Sequence, residues 1–267
     1  MKKIIYIVFC AVLFSVVSAC RDGETASRLS KEEQEAQRRE DSAALKIGVL
    51  PTEDCLPIVV AKELRLFDTL GVSVRLRHYR AMCECRIALR DSLVQGAVID
   101  SVLMSQMQDR GTKLYKGMDT DMRWLFLTSK KARITRIAQL VDKNIAADSH
   151  GESHRLAEQA IDSLQKKGQL VFIIQVEDLK VRMNMLTTGN VDAALLPEPF
   201  ATKARNQGAT VIENVKSKPV GVLAMRSESM RPKARQQQFK LFKQAITIAN
   251  DSIKRYGKKH YLKYLEW

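Results

Sequence analysis

The sequence predicts an α/β protein with two lobes, each a mostly parallel sheet flanked by helices. Short apolar segments of strand length alternate with segments whose apolar residues recur at helical spacing, as in sheets with crossover helices. Two stretches, residues 94–101 and 191–198, are alike and indicate two lobes of one design. A late strand and a long final helix would return the chain to the first lobe. Two crossings between the lobes would form a hinge beside a cleft.

Residues 1–19 have the layout of a signal peptide, with Lys2 and Lys3 before an apolar run over residues 4–17. That run is too short to span a membrane comfortably. Val17-Ser18-Ala19-Cys20 resembles the lipobox of bacterial lipoproteins, which implies that Cys20 carries lipid and anchors the chain to a membrane. Ordinary secretion with a chance cysteine is the alternative. Residues 20–44 are charged and have no period that could bury a face, so we interpret them as a lipidated tether.

The chain is strongly basic, with 44 Lys and Arg against 30 Asp and Glu and a net charge of +14. An exported lipoprotein meets little nucleic acid, so we expect no nucleic-acid partner. Anionic headgroups or an anionic solute fit this charge better. A solvated basic surface without a specific role is the alternative.

The first predicted lobe begins with a strand over residues 45–50, a polar turn, and a helix from Pro57 with Ile58, Ala61, Leu64 and Phe67 on one face. Polar residues just past the end of a strand lie where open α/β sheets bind ligands. The first turn therefore makes Thr52, Asp54 and Cys55 candidates, although Thr and Asp also cap helices. Further elements are predicted as a strand at 72–77, a helix at 83–94 and a strand at 96–99, which ends in the polar pair Asp100-Ser101.

The second half repeats the alternation after an irregular stretch at residues 113–123. Strands are predicted at residues 124–128, 144–147, 170–176, 191–196 and 219–225, and helices at 152–166, 178–186, 200–207 and 233–255. We assign residues 45–122 and 219–267 to the first lobe and residues 123–218 to the second.

Two blocks of the sequence carry residue patterns that are more specific than the spacing of their apolar residues. The first runs strand, proline turn, helix, phenylalanine, glycine and strand, in Lys46-Ile47-Gly48, Pro51, Pro57, Val60-Ala61-Lys62-Glu63, Phe67 and Gly71-Val72-Ser73-Val74. The second comprises Gly189-Asn190-Val191-Asp192-Ala193-Ala194, Glu198-Pro199-Phe200-Ala201 and Gly208-Ala209. Together they resemble the extracytoplasmic solute-binding proteins of ABC importers, in the group that handles nitrate, sulfonates, taurine and thiamine-pyrimidine precursors.

This resemblance covers residues 45–255 and implies a periplasmic-binding-protein type II fold. It also implies a monomeric, periplasmic receptor that closes on a small polar or anionic organic solute and delivers it to an ABC permease subunit. No catalytic residue, metal or cofactor is expected. Two positions depart from the family pattern: Arg65 stands where a glycine is usual, and Gln95 stands where an acid is usual.

The segment Ser149-His150-Gly151-Glu152-Ser153-His154 opens a predicted helix and is a candidate site. It does not match the H-E-x-x-H spacing of metalloproteases, because Gly151 follows the first histidine. Ser149 and Glu152 fit a capping box instead. Backbone N–H groups at this helix start, with Ser149, His150 and Ser153, would favour an anionic ligand group.

Cys55, Cys83 and Cys85 remain once the signal peptide is removed and Cys20 is lipidated. An exported chain permits disulfides, and an odd number allows at most one within a monomer. In the implied fold Cys55 lies near Cys83 and Cys85, so we expect a disulfide between Cys55 and one of them. A soft-metal or thiol site, or unpaired packing, is the alternative.

The remaining candidates come from the loops that the resemblance places at the cleft. Glu198 lies between two prolines and would hold a cationic or amino group, unless it only caps the following helix. Asp100 and Ser101 occupy the corresponding place in the other lobe, and Tyr79 and Arg80 follow the second strand. A rival of a different class is an exported enzyme or thiol or metal module on the same scaffold, using Cys83, Cys85 and His150. No nucleophile elbow, Walker loop or G-x-G-x-x-G pattern supports catalysis.

Overall fold

The computed structural model describes residues 42–267, except for the side chains of residues 213, 214 and 216. The predicted signal peptide, Cys20 and nearly all of the tether lie outside these residues. Within residues 42–267, none of the helices combines the length and the apolar character needed to cross a bilayer.

Ten strands form two five-stranded sheets. The strands are β1 (Leu45–Val49), β2 (Val74–His78), β3 (Gly96–Asp100), β4 (Leu114–Asp119), β5 (Leu125–Thr128), β6 (Asn144–Ala147), β7 (Phe172–Gln175), β8 (Ala193–Leu196), β9 (Thr210–Lys216) and β10 (Gly221–Arg226). The first sheet has the order β2-β1-β3-β10-β4 and the second β7-β6-β8-β5-β9. We call the parts of the chain built on them the first and second lobes, so the predicted two-lobed α/β fold is confirmed.

The sheets are mixed, whereas we expected them to be mostly parallel. In the first sheet β1 pairs in parallel with β2 and β3, but β10 runs antiparallel to both β3 and β4. In the second sheet β6 pairs in parallel with β7 and β8, and β5 runs antiparallel to β8 and β9. The antiparallel strands β5 and β10 are those that arrive from the other lobe. Each of them begins beside the carboxyl ends of the parallel strands of its sheet, so it runs antiparallel to those strands.

The internal match predicted from sequence has a structural counterpart at the start of two central strands. The side-chain oxygen of Gln95, just before β3, accepts a hydrogen bond from the backbone N–H of Lys46 at 2.8 Å. In the second lobe, Asp192, just before β8, accepts from the N–H of Asn144 at 3.0 Å. Gln95 therefore makes the hydrogen bond that an acid makes in the second lobe, which explains why the departure from the family pattern is tolerated.

Helices cover the sheets. They are α1 (Leu56–Glu63), α2 (Leu66–Thr69), α3 (Met82–Arg90), α4 (Ser101–Asp109), α5 (Glu152–Gln165), α6 (Leu179–Thr188), α7 (Phe200–Asn206), α8 (Lys233–Tyr256) and α9 (Lys258–Tyr261). Helix α8 returns to the first lobe and packs on α1 and α2. The ring of Phe242 stacks on Phe67 at 5.3 Å and on Phe239 at 5.9 Å, which joins this late helix to the first block of sequence.

The helix predicted from Pro57 through Phe67 is divided in two. Arg65 adopts a left-handed conformation with φ of 55°, which ends α1 and begins α2. Such a conformation costs a non-glycine residue about 1–2 kcal/mol, which accounts for the glycine that is usual here in the family that the sequence resembles. The division also turns Leu64 outward, so that it is exposed and not part of the buried face as predicted.

Candidate functional site

The two lobes meet across a cleft between the loops that follow their parallel strands. Each of the three loops of the first lobe is hydrogen-bonded to a loop or helix start of the second. The bonds are Glu53 N–H to the Glu198 carbonyl at 2.9 Å, Leu179 N–H to the Arg80 carbonyl at 3.3 Å, and Glu152 N–H to Asp100 Oδ2 at 3.0 Å. The lobes are therefore closed on one another.

Asp100 is the most deeply buried of the inter-lobe groups, with no exposed surface. Its Oδ1 accepts from Leu103 N–H at 2.7 Å and caps its own helix α4, while Oδ2 accepts from Glu152 N–H at the start of α5. Gly151, with φ of 84°, allows this approach, since a Cβ there would lie 2.7 Å from Asp100 Oδ2. Burial raises the pKa of Asp100 to about 7.

Asp100 thus occupies the helix start where the sequence predicted an anionic ligand group. The neighbouring candidates are engaged within the protein: Ser149 N–H donates to Glu177 at 2.9 Å, and Ser149 Oγ bonds to His150 Nδ1 at 2.8 Å. Ser153 is fully buried and its Oγ accepts from Asp148 N–H at 2.9 Å. Desolvation, followed by nearby arginines, lowers the pKa of His150.

The predicted capping box at this helix is wrong. The residue that caps α5 is Gly151, and Glu152 is the first helical residue. The Glu152 carboxylate pairs with Arg155 at 2.6 Å instead of reaching back to Ser149. The tight approach of Asp100 requires a glycine at the cap, and this non-local contact is absent from the local sequence pattern.

Beneath α5, a buried ion pair joins Asp148, just after β6, to Arg182 of α6. Arg182 also donates from Nε to the Val176 carbonyl at 2.7 Å and from Nη1 to the Leu195 carbonyl at 3.0 Å. Its guanidinium lies 5.6 Å from the ring centre of Trp124. Arg182 therefore joins the loops after β6 and β7 to strand β8 of the second lobe. Desolvation raises the pKa of Asp148 even so.

The predicted disulfide is wrong, because Cys55, Cys83 and Cys85 are all free thiols. The Cys55 sulfur accepts from Leu50 N–H at 3.3 Å and from Thr52 Oγ1 at 3.6 Å, which holds it and the fully buried Thr52 within the first turn. Cys85 is fully buried on α3. The cysteines thus pack as small apolar side chains, the alternative in which they stay unpaired.

The thiols also lack the electrostatics of a nucleophile or a soft-metal site, both of which need a lowered thiol pKa. Burial, then the Glu177 carboxylate, raises the pKa of Cys83 to about 11, and burial raises the pKa values of Cys55 and Cys85 as well. Among residues 42–267, no three His, Cys, Asp or Glu side chains are grouped as metal ligands.

We therefore expect iodoacetamide at pH 8 to alkylate Cys83 on the order of tenfold more slowly than a free thiol peptide. Cys55 and Cys85 should react only after denaturation, since neither exposes its side chain. Peptide mass spectrometry checks both. A mass increase on reduction before alkylation, or rapid native labelling of Cys85, would contradict this arrangement.

Tyr79 and Arg80 lie at one end of the cleft, beside the last residues of the chain. Trp267 Nε1 donates to the Tyr79 carbonyl at 3.4 Å, and its ring lies 4.4 Å from that of His78. Arg80 is exposed and lines a cavity of about 360 Å³ between the lobes, together with Lys180. Tyr79 is partly buried and lies against Gly48, where an added Cβ would be 3.0 Å from its ring.

A second inter-lobe cavity, which we call the hinge cavity, has a volume of about 380 Å³ and lies where the chain crosses between the lobes. It is lined by Glu53, Asp54, Asp121, Met122, Arg123, Trp124, Leu125, Pro197, Glu198, Val211, Val215, Ser217 and Lys258. Glu198 accepts from Thr202 N–H at 2.8 Å and pairs with Arg205 at 3.0 Å. One carboxylate oxygen of Glu198 therefore binds the start of α7, as the capping interpretation expects, and the other is held by Arg205.

Asp54 and Trp124 differ from the other polar residues of the hinge cavity. Asp54 Oδ2 accepts from Thr120 Oγ1 at 2.8 Å, but the buried atoms Asp54 Oδ1 and Trp124 Nε1 have no hydrogen-bond partner. Burial raises the pKa of Asp54. Two residues that line this cavity thus carry a buried acceptor and a buried donor without partners, and such groups are costly unless a ligand or water satisfies them.

The structure brings only some of the predicted site residues together. Asp54 and Glu198 share the hinge cavity, Arg80 lines the other cavity, and Asp100 and Ser153 are buried between or within the lobes. Ser101 is partly buried, and its N–H donates to the Val220 carbonyl at 2.8 Å. The sequence does not predict three residues of the hinge cavity, Trp124, Asp121 and Lys258. Only Trp124 could have been found from sequence, because it lies directly before the crossover strand β5.

The arrangement of the two sheets, their order and the cleft between them define the fold of the two-lobed periplasmic binding proteins. The structure is similar to the alkanesulfonate-binding protein SsuA from Xanthomonas axonopodis pv. citri bound to MOPS, with a TM-score of 0.65 and 17% identity over 84% of this chain and 78% of that chain. The periplasmic nitrate-binding protein NrtA from Synechocystis PCC 6803 gives 0.64 and 15%, over 84% and 65%. The methionine-binding protein MetQ gives 0.55 and 17%, over 79% and 95%.

No protein-family model and no curated protein matches the sequence itself. At these sequence identities the similarity establishes the fold but does not identify a solute.

Proposed function

We propose that this protein is a solute-binding receptor of an ABC importer, which closes its two lobes on a small polar solute. The observation that carries the proposal is the hinge cavity. It lies between the lobes of a periplasmic-binding-protein fold and has about the volume of a small-molecule site. Its lining combines six apolar residues with seven polar or charged ones, which suits a small polar solute. Three of the similar structures are those of proteins named for binding an alkanesulfonate, nitrate and methionine.

The proposal includes attachment to the outer face of a bacterial membrane through lipid on Cys20, as the lipobox-like tetrapeptide implies. The receptor would act as a monomer and pass its solute to a permease subunit without converting it. Its basic net charge is suited to a position close to anionic headgroups.

Solute capture can be tested on the full chain purified without denaturation from the membrane of its host. Native mass spectrometry of the protein, with analysis of what it releases on denaturation, should find one unchanged small molecule at about one per chain. A variant with Val211→Trp, in the wall of the hinge cavity, should retain less of it, with circular dichroism used to confirm that this variant is folded. Release of a converted product, or no solute from either the purified protein or the same protein equilibrated with a metabolite extract, would count against a receptor.

A further inference from the structure

We propose that the solute of the hinge cavity is a small organic ammonium or amidinium ion with an apolar body, held by Asp54 and by the indole N–H of Trp124. This inference deepens the proposed function and rests on it. It departs from the alkanesulfonate and nitrate named for two of the similar structures. It also departs from the anion that the basic net charge favoured.

The charges around the hinge cavity favour a cationic solute over an anionic one. Four carboxylates and two cationic side chains line it. Both cations are already paired: Lys258 contacts Glu53 at 3.1 Å, and Arg123 contacts Asp121 at 3.0 Å. Among the lining side chains that the structure describes, no cation is therefore left without a carboxylate partner to receive an anionic ligand.

Asp54 is the lining carboxylate that no cation neutralises in the structure. The residue is 9% exposed, and Thr120 donates to its Oδ2. The nearby Thr52 hydroxyl favours the charged form of Asp54 but donates to the Cys55 sulfur, and Oδ1 has no hydrogen-bond partner. A buried acceptor with negative charge is best satisfied by a charge-assisted donor, such as an ammonium N–H. The first loop therefore offers the cavity an anchor for a cation.

Trp124 supplies the second recognition element from the other lobe. Its indole is 1% exposed, and Nε1–H, which can only donate, has no partner. A solute with an acceptor oxygen or nitrogen would satisfy it. Met122, Leu125, Val211 and Val215 provide the apolar wall against which the body of the solute would pack.

The other place where an anion was expected is already filled. The start of α5 donates its Glu152 N–H to the Asp100 carboxylate, which is completely buried there. An anionic solute group at this helix would have to displace Asp100. The pairing of both described lining cations and the occupied helix start are independent observations, and both favour a cationic solute.

Binding should depend on pH in a recognisable way. The charged and titratable groups around Asp54 are Glu53, Lys258, Asp121, Arg123, Glu198 and Cys55. Burial raises the pKa of Asp54, whereas an alkyl ammonium group stays protonated well above neutral pH. Affinity for the cation should therefore fall as pH is lowered through the pKa of Asp54, and Asp54→Asn should remove this dependence.

The test compares cations and anions that share the same body. Isothermal calorimetry and thermal shift are measured with benzylamine, benzamidine and hexylamine, and with benzenesulfonate, hexanesulfonate and nitrate. We expect binding by members of the first set and none by the second. Asp54→Asn should weaken amine binding by about 10- to 100-fold, the value of a charged hydrogen bond. Asp162→Asn, an exposed carboxylate of α5 that pairs with Lys166 outside the hinge cavity, is the control and should change it by less than about threefold.

The outcomes separate this inference from the receptor proposal. Binding of the sulfonates or nitrate without the amines, or amine binding that Asp54→Asn leaves unchanged, overturns the inference and leaves a receptor function intact. Failure of all probes, together with no co-purifying solute, overturns both. Trp124→Phe provides a second variant: it keeps the apolar surface but removes the donor, and should weaken binding of benzamidine analogues that carry a ring acceptor more than of benzamidine itself.

Discussion

Replacing Arg182 with methionine should lower the free energy of unfolding by about 3–5 kcal/mol, the cost of leaving one partner of a buried ion pair alone. Arg182 has no exposed surface, pairs with Asp148, and donates to the carbonyls of Val176 and Leu195. Methionine removes the charge and these donors together. Urea denaturation followed by circular dichroism measures the change, provided that the transition is two-state.

Arg205→Met is the matched control for this prediction, because Arg205 forms an exposed pair with Glu198 on the same lobe. An exposed pair contributes about 0–1 kcal/mol. The double variant with Arg182→Met and Asp148→Leu removes both buried charges and should recover part of the loss. If Arg182→Met costs no more than Arg205→Met, the buried pair does not hold the cleft loops of the second lobe.

Lowering the pH from about 7 toward 4 should strengthen closure of the two lobes, because Asp100 takes up a proton as it is buried between them. The pKa of Asp100 is raised from 3.8 to about 7 in the closed arrangement. A carboxyl group with a raised pKa stabilises the closed state fully below its ordinary pKa and loses that contribution as pH rises to about 7. At about 1.4 kcal/mol per pKa unit, the difference from a fully solvated carboxyl is roughly 4 kcal/mol, and closure contributes the part that comes from burial between the lobes.

The charged groups that face Asp100 are Asp148 in the loop after β6, and Glu152 and Arg155 at the start of α5. Glu152 is paired with Arg155 and Asp148 with Arg182, and desolvation also raises the pKa of Asp148, so a variant at Asp100 is needed to isolate the contribution of Asp100. Asp100→Asn keeps the shape of the side chain and cannot ionise. The variant should therefore show a smaller change with pH in the radius of gyration measured by small-angle scattering, and in the free energy of unfolding.

Asp162→Asn serves as the control here too, because its carboxylate is exposed on α5, pairs with Lys166 and should not affect closure. Equal pH profiles for the wild-type protein and Asp100→Asn would show that Asp100 does not set the dependence. A stronger pH dependence of closure in Asp100→Asn than in the wild-type protein would show that protonation of Asp100 opposes closure.

The elements predicted well are those whose burial follows from their own sequence. Strand β6 and helix α5 have strong periods, and their predicted bounds agree with the structure to within one residue. Strand β4, Leu114–Asp119, was predicted to be irregular, and β9, Thr210–Lys216, was not predicted. Both lie at sheet edges and carry mixed side chains, so their pairing with a crossover strand determines their structure.

For the candidate site as well, the sequence predicts where residues lie along the fold but not which residues they contact. Proximity of Asp54 and Glu198 to the cleft followed from their places after β1 and β8, since the ends of parallel strands share one edge of a sheet. The hydrogen-bond and packing partners of the site residues could not be predicted from these positions. Asp100 contacts Glu152 and Trp124 contacts Arg182 because distant segments of the chain pack together. Cys55 contacts Leu50 and Thr52 through the geometry of a local turn. The amino-acid sequence alone specifies neither the packing nor this turn geometry.

The position of β10 within the first sheet sets an order for the appearance of structure during synthesis. β10 lies between β3 and β4, so β4 has no sheet partner until residues 221–226 have emerged. The five strands of the second sheet all occur between residues 125 and 216, and they can pair while the first sheet is still incomplete. We therefore expect a nascent chain to protect the second lobe from proteolysis first, and a chain halted before β10 to leave the first lobe cleavable at β4.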